Sequence, residues 1–197
     1  MKNILILNGS PSGTRGNCSV LIAAFKKFLE GSSVKVDVVH LKTTSFGPGL
    51  KNKIKKSSAM IFVTGTYWDS WGSPLQKFLE DCTELEGSSM LLGKPCAVFV
   101  LMHSVGGKSV LSRLQGVLST MGFLIPPMSG MVYSLVNDLA LKSRNPHTED
   151  FWQIKDATLV LENLLKATDL KISWTSWPVD KKNFRRRWMP RKAASLR

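Results

Sequence analysis

The densest group of residues able to bind a ligand lies between positions 8 and 19. This stretch reads NGSPSGTRGNCS and follows an apolar run that predicts a buried strand. Its glycines let backbone amides approach a ligand closely, and its hydroxyl and amide side chains supply further donors. A helical pattern begins directly after it, so the loop is predicted to lie at a helix N-terminus and to bind a phosphate. The alternative is a flexible turn with ordinary helix caps, which we regard as the weaker interpretation.

Two later loops carry further candidate residues. Residues 64–74 read TGTYWDSWGSP and place three aromatic side chains after another apolar run. A flat apolar ring beside a phosphate site would use such aromatics, although they could equally cap the core or contact a second subunit. Residues 102–109 read MHSVGGKS, where close backbone approach to a ring edge and a plain helix entry are both open. His103 by itself is weak evidence for catalysis.

The sequence does not match three other known phosphate-binding motifs. The glycine spacing of the first loop is G-x-x-x-G-x-x-G, which differs from the G-x-G-x-x-G of dinucleotide-binding folds, and no acidic residue ends the second strand. Residues 107–109 resemble the end of a P-loop, but Met102 occupies the position of its first glycine. A low-molecular-weight phosphatase loop with Cys18 as nucleophile would need arginine where Ala24 stands.

Hydrophobic patterning places these loops between strands and helices. Apolar runs predict strands at 4–7, 34–41, 59–63 and 95–102, and a fifth strand or extended segment that starts at 123 and extends toward 133. Helical spacing predicts helices at 19–29, from 73 onward, after 107 and at 149–165. The second of these is expected to begin with Ser73 as N-cap and Pro74 at N1. The apolar stripe of the first is expected to comprise Val20, Leu21, Ala24, Phe25 and Phe28.

Alternation of strands and helices predicts an α/β fold with a parallel sheet and helices on both faces. Five strands fit the flavodoxin-like order 2-1-3-4-5, whose ligand site lies beyond the carboxyl ends of strands 1 and 3. The loops at 8–19 and 64–74, which we call the first and third loops after the strands that they follow, would then be neighbours.

Composition and charge indicate one domain with a basic tail. The chain has 197 residues and a net charge of +13, and residues from Lys171 onward include nine Lys or Arg against one acid, Asp180. We therefore predict a domain at 1–170 and a tail at 171–197, with no membrane span and no signal peptide. The three cysteines are scattered, which argues against disulfides and metal sites and agrees with a reducing cytoplasm.

The tail mixes arginines and lysines with aromatic side chains, namely Trp174, Trp177, Phe184 and Trp188. Packing of these aromatics on the domain or on a partner subunit is the preferred interpretation, because tryptophans are costly to expose. Contact with a nucleic acid or another anionic surface is the alternative, and a nucleic acid is not an expected partner of the protein.

Three segments resemble the NADPH-dependent FMN reductase family: ILILNGSPSGTRGNCSVLI, TGTYWDSWGSPLQKFLED and MHSVGGKSVLSRLQGVLSTMGFLIPP, which together cover most of 3–127. By position, the resemblance implies that FMN is held in the first loop by Ser10, Ser12, Gly16, Asn17, Cys18 and Ser19. In the later loops it implies Gly65, Thr66, Tyr67, Trp68, Asp69, Ser70, His103, Ser104, Gly106 and Gly107. The chain departs from the family pattern at Cys18, Gly65, Asp69 and Pro74, where Thr, Pro, Gly and Gln are usual. An inward-pointing Asp69 would add negative charge near the ring.

The resemblance also implies a function. NAD(P)H would reduce bound FMN, which would pass electrons to a quinone, free flavin, a nitro or azo compound or a metal, with no catalytic side chain required. A homodimer or homotetramer and a small-molecule acceptor are expected as partners. A flavodoxin-type electron carrier is a less favoured alternative because those proteins are usually acidic. A non-catalytic binding protein of the same fold is the third.

Overall fold

The computed structural model describes residues 1–142 and 152–178, and within these ranges strands and helices alternate along the chain. The strands are β1 (Lys2–Asn8), β2 (Val34–His40), β3 (Ala59–Gly65), β4 (Cys96–Met102) and β5 (Gly130–Ser134). The α-helices are α1 (Asn17–Leu29), α2 (Pro48–Lys56), α3 (Ser73–Cys82), α4 (Gly107–Thr120), α5 (Leu135–Lys142) and α6 (Ala157–Ala167).

The five strands form one parallel sheet in the order β2-β1-β3-β4-β5, which confirms the flavodoxin-like prediction. The strands β1, β3 and β4 lie inside the sheet and are covered on both faces, so their sequences are continuous apolar runs without alternation. Because all strands point the same way, the loops that follow β1, β3 and β4 meet at one edge of the sheet.

Helices cover both faces of the sheet, as predicted. On one face α2, α3 and α4 pack through buried residues that include Leu50, Leu75 and Leu114. On the other face α1 and α6 pack over the sheet, and Phe25 of α1 contacts Phe99 of β4 with 4.4 Å between ring centroids. This arrangement fixes α1 so that its N-terminus lies at the edge where the three loops meet.

The apolar face of α1 was predicted only in part. Leu21 and Phe25 are buried, but Val20 and Phe28 are 68% and 38% exposed. The buried stripe instead continues through residues such as Ile22. Both sets of apolar residues have helical spacing, so periodicity could not distinguish them. The angle at which α1 leaves the first loop decides which face meets the sheet.

Several predicted boundaries at the later elements were wrong. The fifth strand begins at Gly130, because the prolines at 126 and 127 lack the N–H groups that a strand needs; before it only an isolated bridge joins Leu124 to Pro95. Gly72, not Ser73, is the N-cap of α3, so Ser73 is its first residue and Pro74 its second.

The last predicted helix also differs. The helix α6 starts at Ala157, after a single 3-10 turn at Ile154–Asp156, and position 149 lies outside the described residues. The helix α5 was not predicted at all.

The first part of the C-terminal tail runs along the domain. Trp174 lies against Gly93, where a Cβ would overlap the indole, and the indole N–H of Trp177 donates to Glu86 Oε1 at 2.9 Å. Both contacts are at the connection between α3 and β4, at the opposite edge of the sheet from the three loops. Phe184, Trp188 and the arginines of the tail lie outside the described residues.

Within residues 1–142 and 152–178, no helix is long and apolar enough to cross a membrane.

Candidate functional site

The first loop is held in shape by the buried side chain of Asn8. Its amide nitrogen donates to the carbonyl of Gly13 at 2.9 Å and to Ser19 Oγ at 3.1 Å, and its oxygen accepts from the Ser10 amide at 3.0 Å. The Ser19 hydroxyl in turn donates to Gly13 O at 2.7 Å. Ser19 therefore supports the loop from within.

The start of α1 lies directly behind this loop. Its N-cap is Gly16, which has no side chain to bond the first amides of the helix, and the Ser19 amide donates to Gly16 O at 2.9 Å. Ser10, Ser12 and Asn17 lie around them on the wall of a cavity. A helix N-terminus without a side-chain cap, beside two hydroxyls, is suited to an anion.

The thiol of Cys18 lies on the same wall. It is 3% exposed, and burial raises its pKa to about 11, opposed by a smaller lowering effect of its hydrogen bond with Ser10. The side chain is therefore a neutral thiol at physiological pH. It neither repels a phosphate nor acts as a nucleophile.

The cavity has a volume of about 430 Å³ and extends from the first loop across the ends of β3, β4 and β5. Eight of the predicted site residues line it: Ser10, Ser12, Asn17, Cys18, Gly65, Thr66, Tyr67 and His103. The other eight lie in the same loops but not on its wall: Gly16, Ser19, Trp68, Asp69, Ser70, Ser104, Gly106 and Gly107. The volume is within the range of small-molecule and cofactor sites.

The third loop joins the first across the cavity. The hydroxyls of Tyr67 and Ser10 are 3.1 Å apart and share a hydrogen bond. The amide of Thr66 donates to Leu101 O at 2.8 Å, which ties the loop to β4. The hydroxyl of Thr66 is buried and has no hydrogen-bond partner in the described structure, so it is available to a polar ligand atom.

Gly72 is a second point at which the first and third loops touch. A Cβ on Gly72 would overlap the carbonyl oxygen of Gly9 and lie 2.7 Å from Pro11 Cδ. The Gly72 amide donates to Thr64 Oγ1 at 3.0 Å. The close approach of the two loops thus depends on a residue without a side chain.

Asp69 would add negative charge near the ring if its side chain pointed inward, but the side chain is directed away from the cavity. Its carboxylate lies beside Gly106, outside the cavity wall, and its carbonyl oxygen accepts a hydrogen bond from Arg113 of α4. The charge that distinguishes this chain from the usual glycine is therefore directed toward α4.

One wall of the cavity was missed by the sequence analysis. It is formed by Val20, Leu21, Leu101, Met102, Tyr133, Leu135, Asp138 and Ile154. The Tyr133 hydroxyl donates to Asp138 Oδ1 at 2.8 Å, and Lys142 Nζ donates to Asp138 Oδ2 at 2.7 Å, which fastens α5 to the end of β5. Burial and the Asp138 contact raise the pKa of Tyr133. The strand end at Tyr133 could have been identified from its position, whereas α5 gave no signal.

A larger cavity of about 720 Å³ lies between the loop after β2 and α3, away from the ends of β3 and β4. Two of its lysines are already paired, Lys51 with Glu84 and Lys77 with Asp81. Its charges are thus largely compensated within the protein.

In the described residues, no group of three or more His, Cys, Asp or Glu side chains could hold a metal ion.

Solved structures of flavin proteins share this fold. RosB, crystallised with bound 8-demethyl-8-formylriboflavin-5'-phosphate, superposes with a TM-score of 0.68 at 15% identity, over 85% of this chain and 79% of RosB. The NAD(P)H:(acceptor) oxidoreductase FerB from Paracoccus denitrificans has a TM-score of 0.60 at 19% identity, over 86% of this chain and 96% of FerB. A WrbA-like flavodoxin from Agrobacterium tumefaciens has a TM-score of 0.61 at 15% identity, over 87% and 100%. At these identities the likeness establishes the fold.

Sequence comparison assigns the family. No curated protein sequence matches the chain. The family model described as NADPH-dependent FMN reductase matches residues 2–135, which is more than half of the chain and includes all three loops. The chain therefore belongs to the NADPH-dependent FMN reductase family, a family of FMN-dependent oxidoreductases that use NAD(P)H.

Proposed function

We propose that the 430 Å³ cavity is the FMN site of this chain, and that NAD(P)H and a small-molecule acceptor react there in turn. The observation that carries the proposal is the continuity of the cavity. It connects the uncapped start of α1, which suits a phosphate, to the aromatic and apolar side chains at the ends of β3 and β4, which suit a ring.

The residues present fit FMN. Ser10, Ser12 and Asn17, together with the first amides of α1, would hold the phosphate. The buried Thr66 hydroxyl lacks a protein partner, which costs about 1–3 kcal/mol, so a polar atom of the cofactor would remove that cost. Tyr67 would contact the cofactor beyond the phosphate.

The protein contributes binding and exclusion of water. FMN, when bound, supplies the hydride and electron chemistry. Val20, Leu21, Leu135 and Ile154 give the cavity an apolar side, which limits the water that reaches it. With Cys18 held as a neutral thiol, no covalent step on the protein is required. The acceptor is a quinone, a free flavin, a nitro or azo compound or a similar small molecule.

Replacing Ser10 or Tyr67 by alanine is expected to weaken FMN binding. Each change removes one half of the hydroxyl pair that joins the two loops. The loss is about three- to tenfold in Kd for Ser10→Ala, from one hydrogen bond, and larger for Tyr67→Ala, which also loses the ring. Titration of FMN into the flavin-free protein measures both. Ser112→Ala on the exposed side of α4 is the control, and unchanged Kd in both site variants would show that the pocket is wrongly assigned.

The redox function is tested on FMN-loaded protein. The visible absorbance of bound flavin should bleach rapidly when NADPH or NADH is added without oxygen, and it should return when an acceptor follows. Stable binding of FMN without bleaching would indicate an electron carrier. A protein that remains colourless after incubation with FMN would indicate a binding protein of the same fold.

We further propose that the chain is a homodimer or homotetramer of the reducing cytoplasm. Exposed apolar side chains of α5, which include Leu135, Val136 and Leu139, support an interface, and the three cysteines are free and buried. Sedimentation equilibrium of the full chain should give two or four times the monomer mass of 21.9 kDa. A monomer at micromolar concentration would contradict the proposal.

A further inference from the structure

The loop after β3 contains an unusual turn at Trp68 and Asp69. Tyr67 and Ser70 exchange two backbone hydrogen bonds, with N–O distances of 2.8 and 3.0 Å. The two residues between them have φ angles of 48° and 56°. This is the geometry of a type I′ turn, whose central positions normally hold Asn-Gly or a similar pair. Non-glycine residues rarely adopt positive φ, so the backbone is strained at two successive positions.

Contacts from β4 and from α4 hold this turn in place. The amide of Thr66 bonds to β4 at its base, and Arg113 donates to the carbonyl oxygen of Asp69. The Arg113 guanidinium also lies 5.8 Å from the centre of the Trp71 ring. Gly106 leaves space for the Asp69 carboxylate, because a Cβ there would overlap it. The backbone of the turn is thus fixed from its base and from α4.

Although the backbone of the turn is fixed, the indole of Trp68 packs against no other described part of the protein. Trp68 is fully exposed, although it directly follows Tyr67, which lines the cavity. Val20 and Leu135, which also line the cavity, are 68% and 42% exposed. A tryptophan is costly to leave in water, and here it is also held in a strained backbone conformation. Strain of this kind persists where the surrounding structure enforces it, typically at ligand sites.

We propose that Trp68 is a specificity-determining residue that stacks on the flat aromatic ring of the second substrate at the mouth of the cavity, an inference that rests on the proposed function. The side chain is exposed beside Tyr67 and is not part of the wall that the cofactor would fill, so the ring it would meet is that of the molecule that enters after the cofactor. Arg113 acts as a positioning residue, because it contacts the turn and not the substrate. Nicotinamide and an aromatic acceptor share this ring chemistry.

The test compares Trp68→Ala and Trp68→Phe with the wild type, all loaded with oxidised FMN. Equilibrium dialysis with 2-naphthol, an unreactive ring, is expected to give a Kd about three- to tenfold higher for Trp68→Ala and nearly unchanged for Trp68→Phe. Trp177→Ala is the matched control, because its indole is exposed at the opposite edge of the sheet. The Kd of FMN should be the same in all four proteins.

Steady-state kinetics then show whether the ring that stacks on Trp68 belongs to the acceptor or to nicotinamide. A raised KM for 1,4-naphthoquinone, with unchanged KM for ferricyanide, supports stacking on the acceptor, and a raised KM for NADPH supports stacking on nicotinamide. An unchanged Kd for 2-naphthol in Trp68→Ala overturns the proposal, whether or not the variant changes the oligomeric state. Weakened FMN binding also overturns it, since Trp68 would then belong to the cofactor site. If the wild type retains no flavin, the proposed function fails first and this inference falls with it.

Discussion

Replacing Gly72 by alanine is expected to abolish stable FMN binding and to lower the free energy of unfolding by about 1–3 kcal/mol. The new methyl group would overlap the Gly9 carbonyl and crowd Pro11, both in the first loop. Because the overlapping atom belongs to the backbone, a change of rotamer cannot relieve the overlap. The first and third loops would have to separate, and the cavity that both of them line would widen.

Gly116→Ala is the matched control for this variant. Gly116 lies within α4, and nothing is within 4 Å of the position that its Cβ would take. The same chemical change should therefore stabilise the protein by about 0.5–1 kcal/mol, through better helix propensity, and leave FMN affinity unchanged. Urea unfolding and FMN titration measure the two effects. Wild-type FMN affinity in Gly72→Ala would show that the contact between the loops does not shape the site.

Lys94→Met is expected to have the largest effect on stability away from the site, about 2–3 kcal/mol. Lys94 Nζ donates to Ile54 O at 2.7 Å and to both the carbonyl and the hydroxyl of Ser57. These acceptors end α2, so the lysine joins that helix to the beginning of β4. Methionine keeps the length of the side chain but removes all three hydrogen bonds of the lysine, and Ile54 O then retains only the donors of Ser57. Lys55→Met, on the exposed surface of α2, should change stability by less than about 0.5 kcal/mol.

The same lysine gives stability a pH dependence. Burial lowers the pKa of Lys94 from 10.5 to about 8. Between these values the unfolded chain holds a proton that the folded chain has released, so folding becomes more favourable as pH rises. The difference in unfolding free energy between wild type and Lys94→Met should therefore increase from pH 7 to pH 9.5. A difference that stays constant or shrinks would contradict the lowered pKa.

The amino-acid sequence by itself determined the class of fold and the edge of the sheet at which the candidate loops meet. The apolar runs at 4–7, 59–63 and 95–102 lack alternation, which requires strands buried on both faces and hence a parallel sheet with helices on either side. Parallel strands bring their following loops to one edge. For that reason half of the predicted site residues could be found on the wall of a single cavity, with Ser10 and Tyr67 in contact across it.

Only the tertiary structure decided which side chains face the cavity. Ser19 turns inward to support the first loop by donating to Gly13 O, and the Asp69 carboxylate lies beside Gly106 at the start of α4. The helix α5 supplies a wall through Asp138, whose partner Tyr133 lies at the end of β5. Local sequence fixes the propensity for helix or strand and the spacing of apolar residues. The direction in which a side chain points depends on packing between segments far apart in the chain. The fully exposed Trp68 follows the same rule, since its strained turn is held from α4 and β4 rather than by its neighbours in sequence.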